Sequence, residues 1–173
     1  MCSICGIFDF EGDMRDSCAS MNGTLKHRGP DGSGSFFEGS VCFAHNRLAV
    51  MDIESGAQPM SITHEGKKYT IVYNGELYNM PELKKELASL GIETKTRCDT
   101  ELVLWSYIIW RELCPQKLNG IFAFAVCESG EDRIFLARDR FGIKPLFYTY
   151  VGKRFLFASE VKALLSHEGV RAE

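Results

Sequence analysis

The chain has 173 residues, 45% of them hydrophobic, and a formal net charge of −3; this fits one globular domain with a sizeable core and excludes a disordered tail. With no basic excess and no Lys/Arg-rich run, neither nucleic acid nor an anionic membrane surface is an expected partner, which leaves small molecules and proteins. The start, Met1-Cys2-Ser3-Ile4-Cys5-Gly6-Ile7-Phe8-Asp9, lacks a basic leader and no later stretch approaches 18 uninterrupted apolar residues, so a cytoplasmic location without a membrane anchor is expected.

Residues 3–8 are predicted to form a buried strand with a glycine inside it. Asp13 is placed to cap a helix that carries Cys18, Met21 and Leu25 on one face and ends before the Gly29-Pro30-Asp31-Gly32 loop. Residues 41–45 and 69–73, rich in apolar and aromatic side chains, read as strands. The next helix is better marked, with Asn79 as cap, Pro81 and Glu82 in its first turn, Leu83, Leu87 and Leu90 as its apolar stripe and Gly91 as its stop. Asp99 or Thr100 opens a third helix through about Arg111; it is apolar on most sides, around Leu102, Trp105 and Ile109, and therefore buried. From Ile121 the texture turns to β. Residues 121–126, 133–138, 146–150 and 154–158 are short strand-like runs split by turn residues, which predicts consecutive antiparallel hairpins. Ser159 caps a last helix with Val161, Leu164 and Leu165 inward. Helices clustered between groups of antiparallel strands predict an α+β fold of two sheets covered by helices.

Seven cysteines, at 2, 5, 18, 42, 98, 114 and 127, are an odd number without tight pairing, which suits reduced thiols better than a disulfide framework. Cys2-Ser3-Ile4-Cys5 is a C-x-x-C, but redox pairs of this type precede a helix, and zinc needs a second ligand pair that the chain does not offer. Cys2 has another use. Its small side chain suits removal of Met1, after which one residue carries both a thiol and a free α-amine. An amine with a pKa of about 7.7–8.0 lies close to a thiol's ~8.5, so proton transfer between them, direct or through water, costs little. Nucleophile and base are then one residue.

Three further positions each have two readings. Asn74-Gly75, in Tyr73-Asn74-Gly75-Glu76, is a strong hairpin signal, or else an oxyanion hole made of an Asn side-chain N–H and the next backbone N–H. Arg47 is a surface ion-pair partner or a bidentate clamp for a substrate carboxylate. Asp99 is a helix cap or the acceptor for a substrate ammonium.

Their combination resembles, over nearly the whole chain, the glutaminase domain of class II glutamine amidotransferases, and most closely that of glutamine-dependent asparagine synthetases, which are N-terminal nucleophile hydrolases. The resemblance runs through Met1-Cys2-Ser3-Ile4-Cys5-Gly6-Ile7-Phe8, His27-Arg28-Gly29-Pro30-Asp31-Gly32, Arg47-Leu48-Ala49-Val50-Met51-Asp52, Tyr73-Asn74-Gly75-Glu76-Leu77-Tyr78-Asn79 and Cys98-Asp99-Thr100-Glu101. It continues through residues 118–125, 138–146 and 157–162, including Arg138-Asp139-Arg140-Phe141-Gly142-Ile143-Lys144-Pro145-Leu146.

The resemblance implies a four-layer αββα sandwich of two antiparallel sheets over residues 2–173. It also implies that Cys2 attacks the side-chain amide of L-glutamine with its own α-amine as base, that Asn74 and Gly75 form the oxyanion hole, and that water resolves a γ-glutamyl thioester after ammonia has left. Arg47 would bind the α-carboxylate, backbone groups of Leu48, Ala49, Val50 and Met51 the rest of the substrate, and Glu76 and Asp99 the amino end. Arg28 receives no chemical role beyond support, and Arg138, Asp139 and Lys144 are expected to shape a turn and an ion-pair network. No metal or cofactor is expected in this domain. ATP and Mg2+ belong to the synthetase domain of such enzymes, whose Ser-Gly-Gly-x-Asp-Ser loop is absent here, as is any Walker-type loop. The expectation is the glutaminase half of a longer enzyme, or else a stand-alone subunit, delivering ammonia to a synthetase domain or subunit; the acceptor and any homo-oligomer stay open. The competing readings are an amidotransferase feeding an amino sugar or phosphoribosyl acceptor, a non-catalytic glutamine-binding domain, and a C-x-x-C redox or metal protein.

Overall fold

The computed structural model describes residues 1–10, 12, 14–49 and 56–171. Strands β1 (Ser3–Phe8), β2 (Gly32–Glu38), β3 (Val41–Arg47), β8 (Phe147–Val151) and β9 (Arg154–Ala158) form one antiparallel sheet in the order β2-β3-β1-β9-β8. Strands β4 (Met60–His64), β5 (Lys67–Leu77), β6 (Gly120–Glu128) and β7 (Ile134–Arg138) form a second in the order β4-β5-β6-β7. Helices α1 (Arg15–Thr24) and α4 (Val161–Leu165) cover the outer face of the first sheet, and α2 (Met80–Ser89) and α3 (Asp99–Trp110) cover that of the second. The expected four-layer αββα sandwich is therefore present.

The alternation of side chains along β6 explains how the layers stack. Phe122, Phe124 and Val126 pack on the α2/α3 side, whereas Ala123, Ala125 and Cys127 face the other sheet. Large residues fill the helix–sheet layer and small ones let the two sheets approach. The first sheet does the same at Gly6, where an added Cβ would come within 2.5 Å of the Phe157 ring. Phe157 fills the inter-sheet space that Gly6 leaves.

Several local expectations change. Asn74-Gly75 is not a hairpin: β5 runs straight through it, with Asn74 opposite Ala123 and Gly75 opposite Phe122 of β6, so sheet pairing overrides the local turn preference. Strands β2 and β4 were not anticipated; both are sheet edges with alternating exposure. The run of hairpins breaks after β7, because β7 and β8 belong to different sheets. Asn79 stands at the N-terminus of α2 but does not cap it, and instead bridges Lys117 O and the Asn119 N–H at 2.9 Å each. Leu90 is exposed, as are Val161 and Leu165, so α4 turns Ala163 and Leu164 inward. Ser159 does not cap α4 either; its hydroxyl accepts the Ile4 N–H at 2.9 Å. Asp13 lies outside the described residues. Asp139 enters no ion pair among the described residues: its carboxylate accepts the N–H groups of Phe122, Phe141, Ile143 and Lys144.

One polar cluster ties the start of α4 to the short 3-10 turn Lys26–Arg28. Glu160 accepts from Arg28 Nη1 at 2.9 Å and lies within 3.1 Å of His27 Nε2 and Lys162 Nζ. Partial burial pushes the Glu160 carboxyl up, but its hydrogen bonds with Arg28, Lys162 and His27 outweigh this and hold it at about 2, against an ordinary 4.5. A depressed carboxylate contributes stability that is complete above the unfolded-state value and fades as pH falls through the folded one. With a quarter of the side chain exposed, the contribution is on the order of 1–2 kcal/mol. Urea denaturation of wild type and Glu160→Gln is expected to show a difference that is constant above pH 4.5 and shrinks toward pH 2. A difference that holds down to the lower pH would remove this role from Glu160.

Candidate active site

Cys2 precedes β1, where Ile4 and Phe8 face the second sheet and Cys5 and Ile7 face the helices. The pleat turns Cys2 toward the second sheet and Cys5 away from it, so the C-x-x-C does not act as a pair. The thiol is seated on the backbone of Leu48, whose N–H lies 3.4 Å and whose carbonyl oxygen 3.6 Å from Sγ. Arg28 Nε donates to the Cys2 carbonyl at 3.1 Å, so the support expected of Arg28 is a direct grip on the Cys2 backbone. Cys2 is partly exposed and the other six cysteines are buried. Burial pushes the thiols of Cys98, Cys114 and Cys127 up, the last two to about 12, which leaves them inert near neutral pH.

Across from Cys2 lies the middle of β5. Tyr73 belongs to the core under α3 and Val72 to the inter-sheet core, so Asn74 faces the first sheet. Asn74 is 2% exposed, and its Nδ2 has no hydrogen-bond acceptor among the described residues. Buried amide donors are normally satisfied, so this one has a free N–H aimed into the space between the sheets. Gly75 is forced by its neighbour: a Cβ there would lie 2.5 Å from the Tyr73 ring. That ring crosses Gly75 to bring its hydroxyl 2.8 Å from Asp99 Oδ2, which also accepts the Leu77 N–H at 3.3 Å. Burial pushes the Asp99 carboxyl up, while the Tyr73 and Leu77 hydrogen bonds pull it back. Burial and the nearby carboxylate push Tyr73 well above its ordinary range, so its hydroxyl remains a donor. Asp99 is thus the first residue of α3 and not its cap, which is Cys98.

Cys2, Arg47, Leu48, Asn74, Gly75, Glu76 and Asp99 line one cavity of about 230 Å³. This is smaller than the roughly 300–1,000 Å³ of drug-sized sites and suits a small metabolite. Arg47, at the end of β3, and Asp99, at the start of α3, bring a cation and an anion to the same space, and Glu76 lies at the exposed rim. Ala49 stands beside the cavity with its N–H held by Asp31 Oδ2 at 2.8 Å, so the Arg28–Gly32 loop buttresses this edge. Val50 and Met51 lie outside the described residues. Gln58, Tyr73, Thr100 and Lys144 also line the cavity and were not anticipated there. Gln58 fixes β5 by accepting the Tyr73 N–H at 2.6 Å and donating to the Tyr73 carbonyl at 3.1 Å; nothing in the sequence marks it. His45, fully buried on β3, is pushed down to about 4 by burial and stays neutral. Among the described residues no group of three or more His, Cys, Asp or Glu side chains is arranged to hold a metal, and no helix is long and apolar enough to cross a membrane.

A thiol, an unsatisfied amide donor, a guanidinium and a carboxylate around one small cavity are the parts needed for covalent attack on a carbonyl of a free amino acid. Glutamine-hydrolysing asparagine synthetase 3 of Bacillus subtilis is 50% identical over 175 residues, covering 99% of this chain and 28% of its own length. Asparagine synthetase B of Escherichia coli is 36% identical over 172 residues, covering 95% of this chain and 30% of its own. The chain therefore spans about three-tenths of these relatives. A solved structure of similar fold, glutamine phosphoribosylpyrophosphate amidotransferase from B. subtilis complexed with ADP and GMP, superposes with a TM-score of 0.81 at 21% identity, over 95% of this chain and 43% of that one. The model of the glutamine amidotransferase domain family matches residues 1–173, and the chain belongs to that family.

Proposed function

We propose that the domain hydrolyses the side-chain amide of L-glutamine to glutamate and ammonia through a thioester on Cys2. The observation that carries this reading is the buried Nδ2 of Asn74, without an acceptor among the described residues, in the cavity that also holds the Cys2 thiol. Loss of Met1 frees the Cys2 α-amine, which takes the thiol proton. The thiolate attacks the amide carbon, and the negative charge on the former carbonyl oxygen is met by Asn74 Nδ2–H and the Gly75 N–H. The protonated α-amine then returns its proton to the departing nitrogen, and ammonia leaves. Water, deprotonated by the same amine, attacks the thioester and releases glutamate and the thiol.

Arg47 takes the α-carboxylate. Asp99 takes the α-ammonium, which offsets the cost of keeping that carboxylate buried, and Glu76 adds negative charge at the same end. An amino acid within a peptide lacks both charges, so the pair selects free glutamine. The kinship with glutamine-hydrolysing asparagine synthetases supports an ATP-dependent synthetase domain or subunit of that type as the ammonia acceptor, with ATP and Mg2+ used there.

Cys2→Ala is expected to abolish glutamate release while the fold and glutamine binding persist; turnover at the wild-type rate in this variant would refute the reading. Asn74→Ala is expected to lower kcat by about 10²–10³-fold, and a change confined to the unfolding midpoint would return Asn74 to a structural role. Arg47→Ala is expected to raise KM with a smaller effect on kcat, measured by glutamate release over a range of glutamine concentrations. An unchanged KM would exclude Arg47 from substrate binding.

A further inference from the structure

Lys144 is 8% exposed and lines the cavity that holds Cys2. The segment that carries it is built for position. The Asp139 carboxylate accepts the N–H groups of Ile143 and Lys144 at 2.9 Å and those of Phe122 and Phe141 at 3.2 Å. Arg138 clasps the carbonyls of Gly142 and Lys144, and Gly142 makes the turn with φ +63°. For all this support, the Lys144 ammonium has no carboxylate partner among the described residues; its polar neighbour is Met1 Sδ at 3.6 Å. A thioether is a weak partner for an ammonium. The arrangement makes sense for a chain in which Met1 has gone and position 2 is the terminus.

We propose that Lys144 sets the protonation state of the processed Cys2: its ammonium disfavours a second positive charge on the α-amine and favours the thiolate. Lys144 is a positioning residue that acts through Cys2, and the inference rests on the glutaminase reading for its purpose. A like charge lowers the affinity of an amine for protons and an opposite charge stabilises a thiolate, so both protons of the coupled amine–thiol pair leave at lower pH. That is what a nucleophile and base working near neutral pH require.

The other charged and titratable groups around Cys2 are common to every variant needed for the test. Arg28 sits on the Cys2 carbonyl, and Arg47 lines the cavity. Asp99 and Glu76 lie on the β5 and α3 walls. Tyr73 and Cys98 are pushed upward by burial, and His45, behind the site, is held neutral.

The test uses chain whose Met1 removal is confirmed by intact mass, and follows alkylation of Cys2 by iodoacetamide as a function of pH, read on the Cys2 peptide. In Lys144→Met the midpoint is expected to rise by about one pH unit; Lys144→Gln is expected to match it, and Lys144→Arg to stay near wild type. In the same neutral variants, glutamate release at pH 7 is expected to fall about tenfold, recover at higher pH and keep its KM. An unmoved midpoint in Lys144→Met or Lys144→Gln, with activity lowered equally at all pH values, would overturn the inference and leave Lys144 a turn residue. Alkylation needs no glutamine turnover. A wild type that releases no glutamate would therefore refute the glutaminase reading, while the midpoint would still decide the effect of Lys144 on Cys2.

Discussion

A strand sends successive side chains to opposite faces, and the site depends on how β5 uses that rule at residues 73–75. Tyr73 turns toward α3 and holds Asp99 at 2.8 Å. Asn74 turns toward the first sheet, where Cys2 lies. Gly75 carries no side chain, and the Tyr73 ring occupies the place a Cβ would take. A one-residue slip of β5 would send Asn74 under the helices and Tyr73 against the thiol. The register is fixed by β6, whose large residues face α3 and whose alanines face the first sheet. The same large and small alternation that stacks the layers thus aligns the chemistry.

The site also keeps groups that a core selected for stability alone would lack. A buried donor without an acceptor among the described residues, such as Asn74 Nδ2, costs about 1–3 kcal/mol, and the buried Asp99 carboxylate has the Tyr73 hydroxyl and the Leu77 N–H among its partners and no cation among the described residues. These costs are spread over rigid supports: the Gln58 amide on β5, the Glu160–Arg28 pair behind Cys2, and the Asp139 turn under Lys144. The rest of the sandwich, with three apolar layers, supplies the stability that offsets these costs.

Much of this was legible in the sequence, for identifiable reasons. Long apolar segments announced themselves: β1, β6, β9, α2 and α3 lie within a residue or two of where they are expected, α2 through its apolar stripe and the others as nearly continuous apolar runs. Strands β2 and β4 escaped because neither carries a fully buried residue, and β2 is built largely of Gly and Ser. The caps expected at Asn79 and Ser159 failed because longer-range partners claimed those side chains. Asn74-Gly75 is the most instructive position, since its local turn preference and its place in a nine-residue ladder with β6 conflict. The constellation of Cys2, Arg47, Asn74 and Asp99 was legible only through the resemblance. Gln58 and Lys144 entered the site through tertiary packing, which no local pattern encodes.

The central claim is that Cys2, freed of Met1, is a nucleophile aimed at the amide carbon of glutamine. It is tested most directly by a glutamine analogue carrying an electrophile at the amide position, followed by intact-mass and peptide mass spectrometry. The account predicts one adduct, on Cys2 among the seven cysteines, formed on chain without Met1, prevented by excess glutamine and absent when Met1 is retained. Labelling of another cysteine, or of Cys2 with Met1 still attached, would contradict it.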